Sequence, residues 1–208
     1  MPVNLDRQGR LTLILGPMFA GKSKELIRRG LAARELGEEV LALKPEIDDR
    51  YHGGRVVAHS GEWLPAIPIA VWPDIPWETT TVLLDEVQFF QEPWFRGSLP
   101  VRVTDLLDDG VHVMASGLNA DWRGQEFPVV RSLLAMADEI VFLAARCATC
   151  GKPAHHTSKI GGTAERVQIG GMDLYEPRCR DHWRIPANQS PAVSASPIPV
   201  PVHANRSL

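Results

Sequence analysis

The chain has 208 residues, enough for one domain with an appendage or two small domains, and enough to bury a sizeable core. Its 44% hydrophobic and 23% charged content is that of an ordinary globular protein, and a net charge of −3 argues against a non-specific nucleic-acid binder, which should be basic. No apolar run approaches a transmembrane helix, and Met1–Arg10 is too polar for a signal peptide, so a cytoplasmic protein with no membrane partner is expected.

The apolar run Leu11-Thr12-Leu13-Ile14-Leu15 reads as a strand. Directly after it, Gly16-Pro17-Met18-Phe19-Ala20-Gly21-Lys22-Ser23 fills every fixed position of the phosphate-loop pattern G-x-x-x-x-G-K-[ST]. A helix-like segment, Lys24 to Leu36, follows, with Gly37 as its stop. In that strand–loop–helix context the loop's backbone N–H groups and the helix N-terminus form an anion site. Lys22 would reach the β/γ-phosphates and the Ser23 hydroxyl would ligate Mg²⁺, so a nucleoside triphosphate is the expected ligand. A chance glycine-rich turn is the bland alternative.

Val40-Leu41-Ala42-Leu43 is a second strand of the doubly buried kind, stopped by Lys44-Pro45. The charged, glycine-bearing stretch Glu46–Arg55 reads as a loop, and the Pro/Trp-rich Glu62–Trp77 as irregular connection. Thr80–Leu84 is a third strand, Ser98–Asp109 a helix, Val111–Ala115 a fourth strand, Ser116–Phe127 a loop. Pro128 starts a helix, and Ile140-Val141-Phe142-Leu143 reads as a final buried strand. Five strands alternating with helices or long connections predict an α/β parallel sheet flanked by helices, of the P-loop NTPase (RecA-like) type.

Asp85-Glu86 closes the third strand. A P-loop enzyme needs a strand-end carboxylate for Mg²⁺, which fits Asp85. On an extended segment neighbouring side chains point to opposite sides, leaving Glu86 as general base toward an acceptor hydroxyl, or, in an ATPase, as the residue orienting water.

Ala144 to Pro186 breaks the α/β pattern. Cys147-x-x-Cys150 and Cys179-x-x-His182, separated by 28 residues, can each place two ligands on one turn and together close a tetrahedral Cys₃His site for a structural Zn²⁺. A redox Cys-x-x-Cys, or His155 or His156 in place of His182, are the alternatives. The segment has little apolar content, so a metal would supply its stability. The expected domains are 1–143 (P-loop domain), 144–186 (a small zinc-ribbon-like domain) and 187–208, a Pro/Ala/Ser-rich tail read as disordered.

These residues together resemble the zinc-containing cytosolic (type II) thymidine kinases. The shared stretches are GPMFAGKS at Gly16–Ser23, KPEIDDRY at Lys44–Tyr51, DEVQFF at Asp85–Phe90, GLNADWRGQEF at Gly117–Phe127, the two cysteine pairs, and IGGMDLY at Ile169–Tyr175. The resemblance implies transfer of the ATP γ-phosphate to the 5′-hydroxyl of thymidine, in a homotetramer serving nucleotide salvage. It implies Gly16–Ser23, Arg50, Asp85, Glu86, Val87 and Gln88 at the ATP site, Ser23 and Asp85 at Mg²⁺, and Glu86 as catalytic base. For the nucleoside it implies an apolar pocket of Met18, Phe89, Leu118, Trp122 and Phe127, with Asp48 nearby. Ile169, Gly170, Gly171 and Tyr175 would belong to a lid whose base the zinc pins. Asn119 and Trp122 depart from the family pattern, where Asp and Phe are common, which bears on nucleoside selection. Rival readings are an NTPase switch whose zinc module binds a partner or nucleic acid, and a zinc-stabilised binding protein.

Overall fold

In chain order, β1 (Leu11–Gly16) leads into α1 (Lys22–Glu35) and β2 (Val40–Pro45). Three short strands follow, β3 (Arg55–Val57), β4 (Trp63–Pro65) and β5 (Ile67–Ile69), and then β6 (Thr81–Leu84). Next come α2 (Leu99–Asp108), β7 (His112–Leu118), α3 (Pro128–Leu134) and β8 (Glu139–Phe142). β9 (Ala145–Arg146), β10 (Pro153–Ala154), β11 (His156–Lys159) and β12 (Tyr175–Arg178) form two antiparallel ladders beyond the main sheet. The structure is a computed structural model that describes residues 8–48, 53–58 and 61–184.

The main sheet has six strands in the order β5-β2-β6-β7-β1-β8, and every pairing in it is parallel. Parallel strands need a cover on both faces, and the side-chain alternation supplies one. Leu11, Leu13, Leu15, Val82, Leu84, Val113 and Ala115 pack under α2 and α3, against Leu99, Val103, Val129, Val130 and Leu133. Ile14, Ala42 and Leu83 face the other way, against Leu26 and Ile27 of α1 and against Val56 and Leu64 of the β3–β4 hairpin. A Cβ at Gly30 would sit 2.4 Å from Leu83 Cδ1 and 3.0 Å from Leu64 Cδ1, so α1 lies on the sheet as closely as a glycine permits. Arg29 ties the helix down at its side: its guanidinium bonds Glu25 one turn back and both carboxylate oxygens of Glu139 on β8.

The parallel α/β sheet flanked by helices is the one read from the sequence. Three readings are corrected. Glu62–Trp77 is not merely irregular: it holds β4 and β5, and β5 adds a sixth strand, with Pro68 sitting opposite Lys44. A proline demotes a strand in a sequence reading, yet is tolerated at the edge position β5 occupies. Residues 140–142 are not buried. β8 closes the other edge with one neighbour, leaving Ile140 44% and Phe142 62% exposed. The helix after the phosphate loop starts at Lys22 rather than Lys24, so the last two loop residues are its first turn. The expected tail, 187–208, lies outside the described residues, as do Asp49–His52 of the Glu46–Arg55 loop. No helix among the described residues is long and apolar enough to cross a membrane.

Gly30→Ala should lower the urea midpoint by an amount equal to about 1–3 kcal/mol, because overpacking against Leu83 outweighs the helix propensity that alanine adds. Acid unfolding should also show Glu25. The side-chain hydrogen bond from Arg28, acting with Arg29, lowers its pKa from 4.5 to about 2. A carboxylate depressed in the folded state adds stability above its unfolded pKa and loses it as pH falls through the folded one. Glu25→Gln should therefore flatten the stability loss between pH 4.5 and about 2.

Candidate active site

The carboxyl ends of the strands open into one cavity of about 350 Å³. Ligand crevices of open parallel sheets lie on this side, because strand ends there hand over to loops and helix N-termini. β1 delivers the phosphate loop. Gly21 has a φ of 81°, which turns the chain directly into α1. Lys22 is buried, and its Nζ donates to the Pro17 carbonyl at 2.8 Å across the loop. Met18, Phe19, Gly21, Lys22 and Ser23 line the cavity, whereas Gly16, Pro17 and Ala20 are not part of its lining.

At the end of β6, Asp85 is buried between two hydroxyls. Ser23 Oγ lies 3.2 and 3.1 Å from its two oxygens, and Ser116 of β7 donates to Oδ1. Burial, reinforced by the neighbouring Glu86 charge, pushes the Asp85 pKa up to about 6, against the pull of the Ser116 and Ser23 hydroxyls. A hydroxyl and a carboxylate oxygen side by side are the hard oxygen donors that Mg²⁺ takes. The chain does not run straight on from the strand. Glu86 has a φ of 53°, and Val87–Phe89 form a single 3-10 turn. Both carboxylates line the cavity, so their division comes from this turn and not from strand alternation. Glu86 Oε2 accepts from the Gln88 side-chain amide. Val87 is buried in the core beneath and does not reach the cavity.

Phe89, Leu118, Trp122 and Phe127 form the apolar wall, together with Met18. Across from them a loop of residues 160–174 carries Ile169 and Gly170 into the lining, and Tyr175 closes its base. Burial raises the Tyr175 pKa, and its hydroxyl bonds the Gln168 carbonyl at 2.8 Å. Gly171 stands outside the lining, its N–H held by Asp173. Asp48 lines the cavity and Asn119 does not. Arg50 lies outside the described residues.

Cys147, Cys150, Cys179 and His182 converge, with all ligand atoms within 4.8 Å of one another. Cys150 Sγ to Cys179 Sγ and Cys147 Sγ to His182 Nδ1 are both 3.7 Å. A tetrahedron built on metal–sulfur bonds of about 2.3 Å has edges of about 3.8 Å, so the donor set fits Zn²⁺. Burial opposes ionisation of the Cys147 thiol, but the backbone N–H groups of Cys179, Cys150 and Thr149 outweigh it and bring the pKa to about 5. His182, not His155 or His156, completes the cluster; His156 instead stacks on Trp183 at 4.4 Å.

Several wall residues went unread in the sequence. Lys44, 2% exposed, lines the cavity and pairs with Asp48 at 3.5 Å. A lysine closing a doubly buried strand was the available signal. Thr157 on β11 accepts from the Met18 N–H at 3.0 Å, tying the cysteine module to the phosphate loop. Arg166 holds the 160–174 loop to the opposite wall through Asp121 at 2.7 Å, and Trp122 Nε1 reaches the Glu165 carbonyl. Nothing in isolated loop residues signals such pairs.

Residues 9–183 match the family model described as thymidine kinase. The chain belongs to the thymidine kinase family. Two family members, each named thymidine kinase, come from Thermococcus kodakarensis and Pyrobaculum aerophilum. The first is 38% identical over 193 residues, covering 86% of this chain and 95% of the relative. The second is 38% identical over 192 residues, covering 85% of this chain and 99% of the relative. The family match spans the phosphate loop, the carboxylate pair, the apolar wall and the cysteine module alike. Membership in a kinase family makes ATP the co-substrate and excludes the binding-protein reading.

Trp183 joins the module to the wall, its Nε1 within 3.2 Å of the Thr157 carbonyl and 3.3 Å of the Trp122 carbonyl, while its ring covers Gly124. Trp183→Ala should cost about 2–4 kcal/mol in urea denaturation, below the range for a fully buried aromatic because the ring is half-buried.

Proposed function

We propose that this protein phosphorylates thymidine, and deoxyuridine more weakly, on the 5′-hydroxyl with ATP, a salvage route to pyrimidine deoxynucleotides. The observation that carries the reading is the cavity's mixed lining. Lys22, Ser23 and Asp85 line it together with aromatic and aliphatic side chains, and Glu86 lies in the same lining. A flat, apolar base with a polar sugar fits such a slot, and the hydroxyl then falls between Glu86 and the phosphate loop.

In the step itself, Glu86 takes the proton of the 5′-hydroxyl as that oxygen bonds to the γ-phosphorus. The bond from phosphorus to the β,γ-bridging oxygen breaks, and the electron pair leaves with ADP. Lys22, now on the Pro17 carbonyl, turns to the β/γ-phosphates, and backbone N–H groups within the Gly16–Ser23 loop hold them. Arg50 adds a second cation. Ser23 and Asp85 would hold Mg²⁺, which when bound would offset the negative charge that develops on the phosphates. Met18, Phe89, Leu118, Trp122 and Phe127 grip the base, Asp48 stands near the sugar through its pair with Lys44, and Ile169, Gly170, Gly171 and Tyr175 cover the nucleoside. Covering the site excludes water and favours transfer over hydrolysis.

The organisation proposed is a kinase domain of residues 1–143, a zinc-held lid of 144–186 and a terminal tail of 187–208. Cys147, Cys150, Cys179 and His182 would hold one structural Zn²⁺, a closed four-ligand site with no open position. A homotetramer in the cytoplasm belongs to the same reading, without nucleic acid or membrane as partner.

A coupled ADP assay should show turnover with thymidine, less with deoxyuridine, and little with deoxycytidine or purine nucleosides; hydrolysis independent of any nucleoside would sink the proposal. Glu86→Gln should lower kcat by about 10²–10⁴-fold while ATP still binds. Elemental analysis should find about one zinc per chain, lost in a Cys147→Ala/Cys150→Ala variant together with several kcal/mol of stability; a metal-free, stably folded wild type would contradict the zinc assignment.

A further inference from the structure

Gln88 is completely buried although it is polar, and both ends of its amide are engaged. Its Oε1 accepts from the Leu118 N–H at 3.0 Å, at the end of β7. Its Nε2 donates to Glu86 Oε2. The orientation is not arbitrary. A backbone N–H can only donate and a carboxylate only accept, so the oxygen must face Leu118 and the NH₂ must face Glu86. The slot is built for this side chain. A Cβ at Gly117 would lie 2.9 Å from Gln88 Oε1 and 2.7 Å from Val87 Cγ2, so β7 leaves out a side chain where the amide passes.

The carboxylate that this amide holds sits on a residue with a positive φ, two residues beyond a strand end. Such a backbone does not by itself aim a three-bond side chain. Family resemblance alone put Gln88 among the ATP-binding residues; its two hydrogen bonds run instead to Glu86 and to β7. We propose that Gln88 is the positioning residue for Glu86, clamping that carboxylate to the end of β7 and acting on phosphoryl transfer through it rather than by holding ATP. This rests on Glu86 being the base. Leu118 is also part of the apolar wall, so the clamp joins the base to the strand that carries the nucleoside pocket.

The test is a double-mutant cycle on the full chain, with kcat, both KM values, and ATP affinity by direct titration. Gln88→Leu should lower kcat about 10- to 100-fold, with the KM for ATP and for thymidine changed by less than about threefold. In a Glu86→Gln background, where residual turnover is followed by radiolabelled phosphate transfer, Gln88→Leu should change kcat by less than about twofold, because the group it positions is gone. Gln88→Glu keeps the shape and the acceptor facing Leu118 but sets a carboxylate against Glu86, and should lose kcat similarly while unfolding cooperatively; it carries the test if the leucine variant does not fold. A tenfold weaker ATP affinity at unchanged kcat would make Gln88 an ATP ligand and overturn the proposal, as would an equal further loss of kcat in the Glu86→Gln background. If Glu86→Gln itself kept the wild-type rate, the base assignment would fall first; the other two outcomes defeat the clamp alone.

Discussion

Asp85 is a carboxylate placed where water hardly reaches, and its partners explain much of the site around it. Ser23 comes from the first turn of α1, Ser116 from β7, and Asp85 from the end of β6. A helix turn, a strand interior and a strand end are thus brought to one buried charge. A charge without compensation is costly there, which is why its pKa rises to about 6 with burial as the leading cause. The hydroxyls relieve part of that cost, and they also fix the distance between the phosphate loop and the strand end that carries Glu86. Hydroxyl and carboxylate oxygens held in this way are hard oxygen donors of the kind a divalent cation takes.

The all-parallel sheet makes this convergence possible. Parallel pairing puts every strand's carboxyl end on the same side, and the alternation of Leu13 and Leu15 against Ile14 gives each face its own cover. The helices are then free to carry loops rather than close the sheet. The carboxylate pair, the phosphate loop and the apolar side chains come from the ends of β6, β1 and β7, with Met18 and Phe89 adding to the apolar set, and all line one cavity. The wall opposite is supplied by a segment far along the chain, held in place by polar contacts such as Arg166 with Asp121.

Much of this was legible in the sequence because it rests on short-range rules. The phosphate loop needs fixed residues at fixed spacing, buried strands need apolar runs, and metal ligands on one turn need a two-residue gap. Those rules located β1, β2, β6, β7, both main helices and the four converging metal-ligand side chains. What they missed was set by tertiary position. Pro68 hid an edge strand that only neighbouring β2 makes visible. Ile140 and Phe142 look like core residues, and only the strand order puts them at the rim. Glu86 was divided from Asp85 by strand alternation, whereas a positive-φ turn does the separating. Lys44, Thr157 and Arg166 acquire meaning only from partners 4, 139 and 45 residues away.

The 160–174 loop leaves from Lys159 and returns at Tyr175, and those two residues face each other across the β11–β12 ladder. Its ends are therefore stitched together before the loop begins, with the cysteine cluster beyond the stitch. A loop closed in this way can change length or composition at small entropic cost, since that cost grows only slowly with the number of residues. The phosphate side of the cavity has no such latitude, because its spacing is set by helix, strand and buried charge at once. One wall of the pocket is thus free to diverge in length and composition while the other stays put.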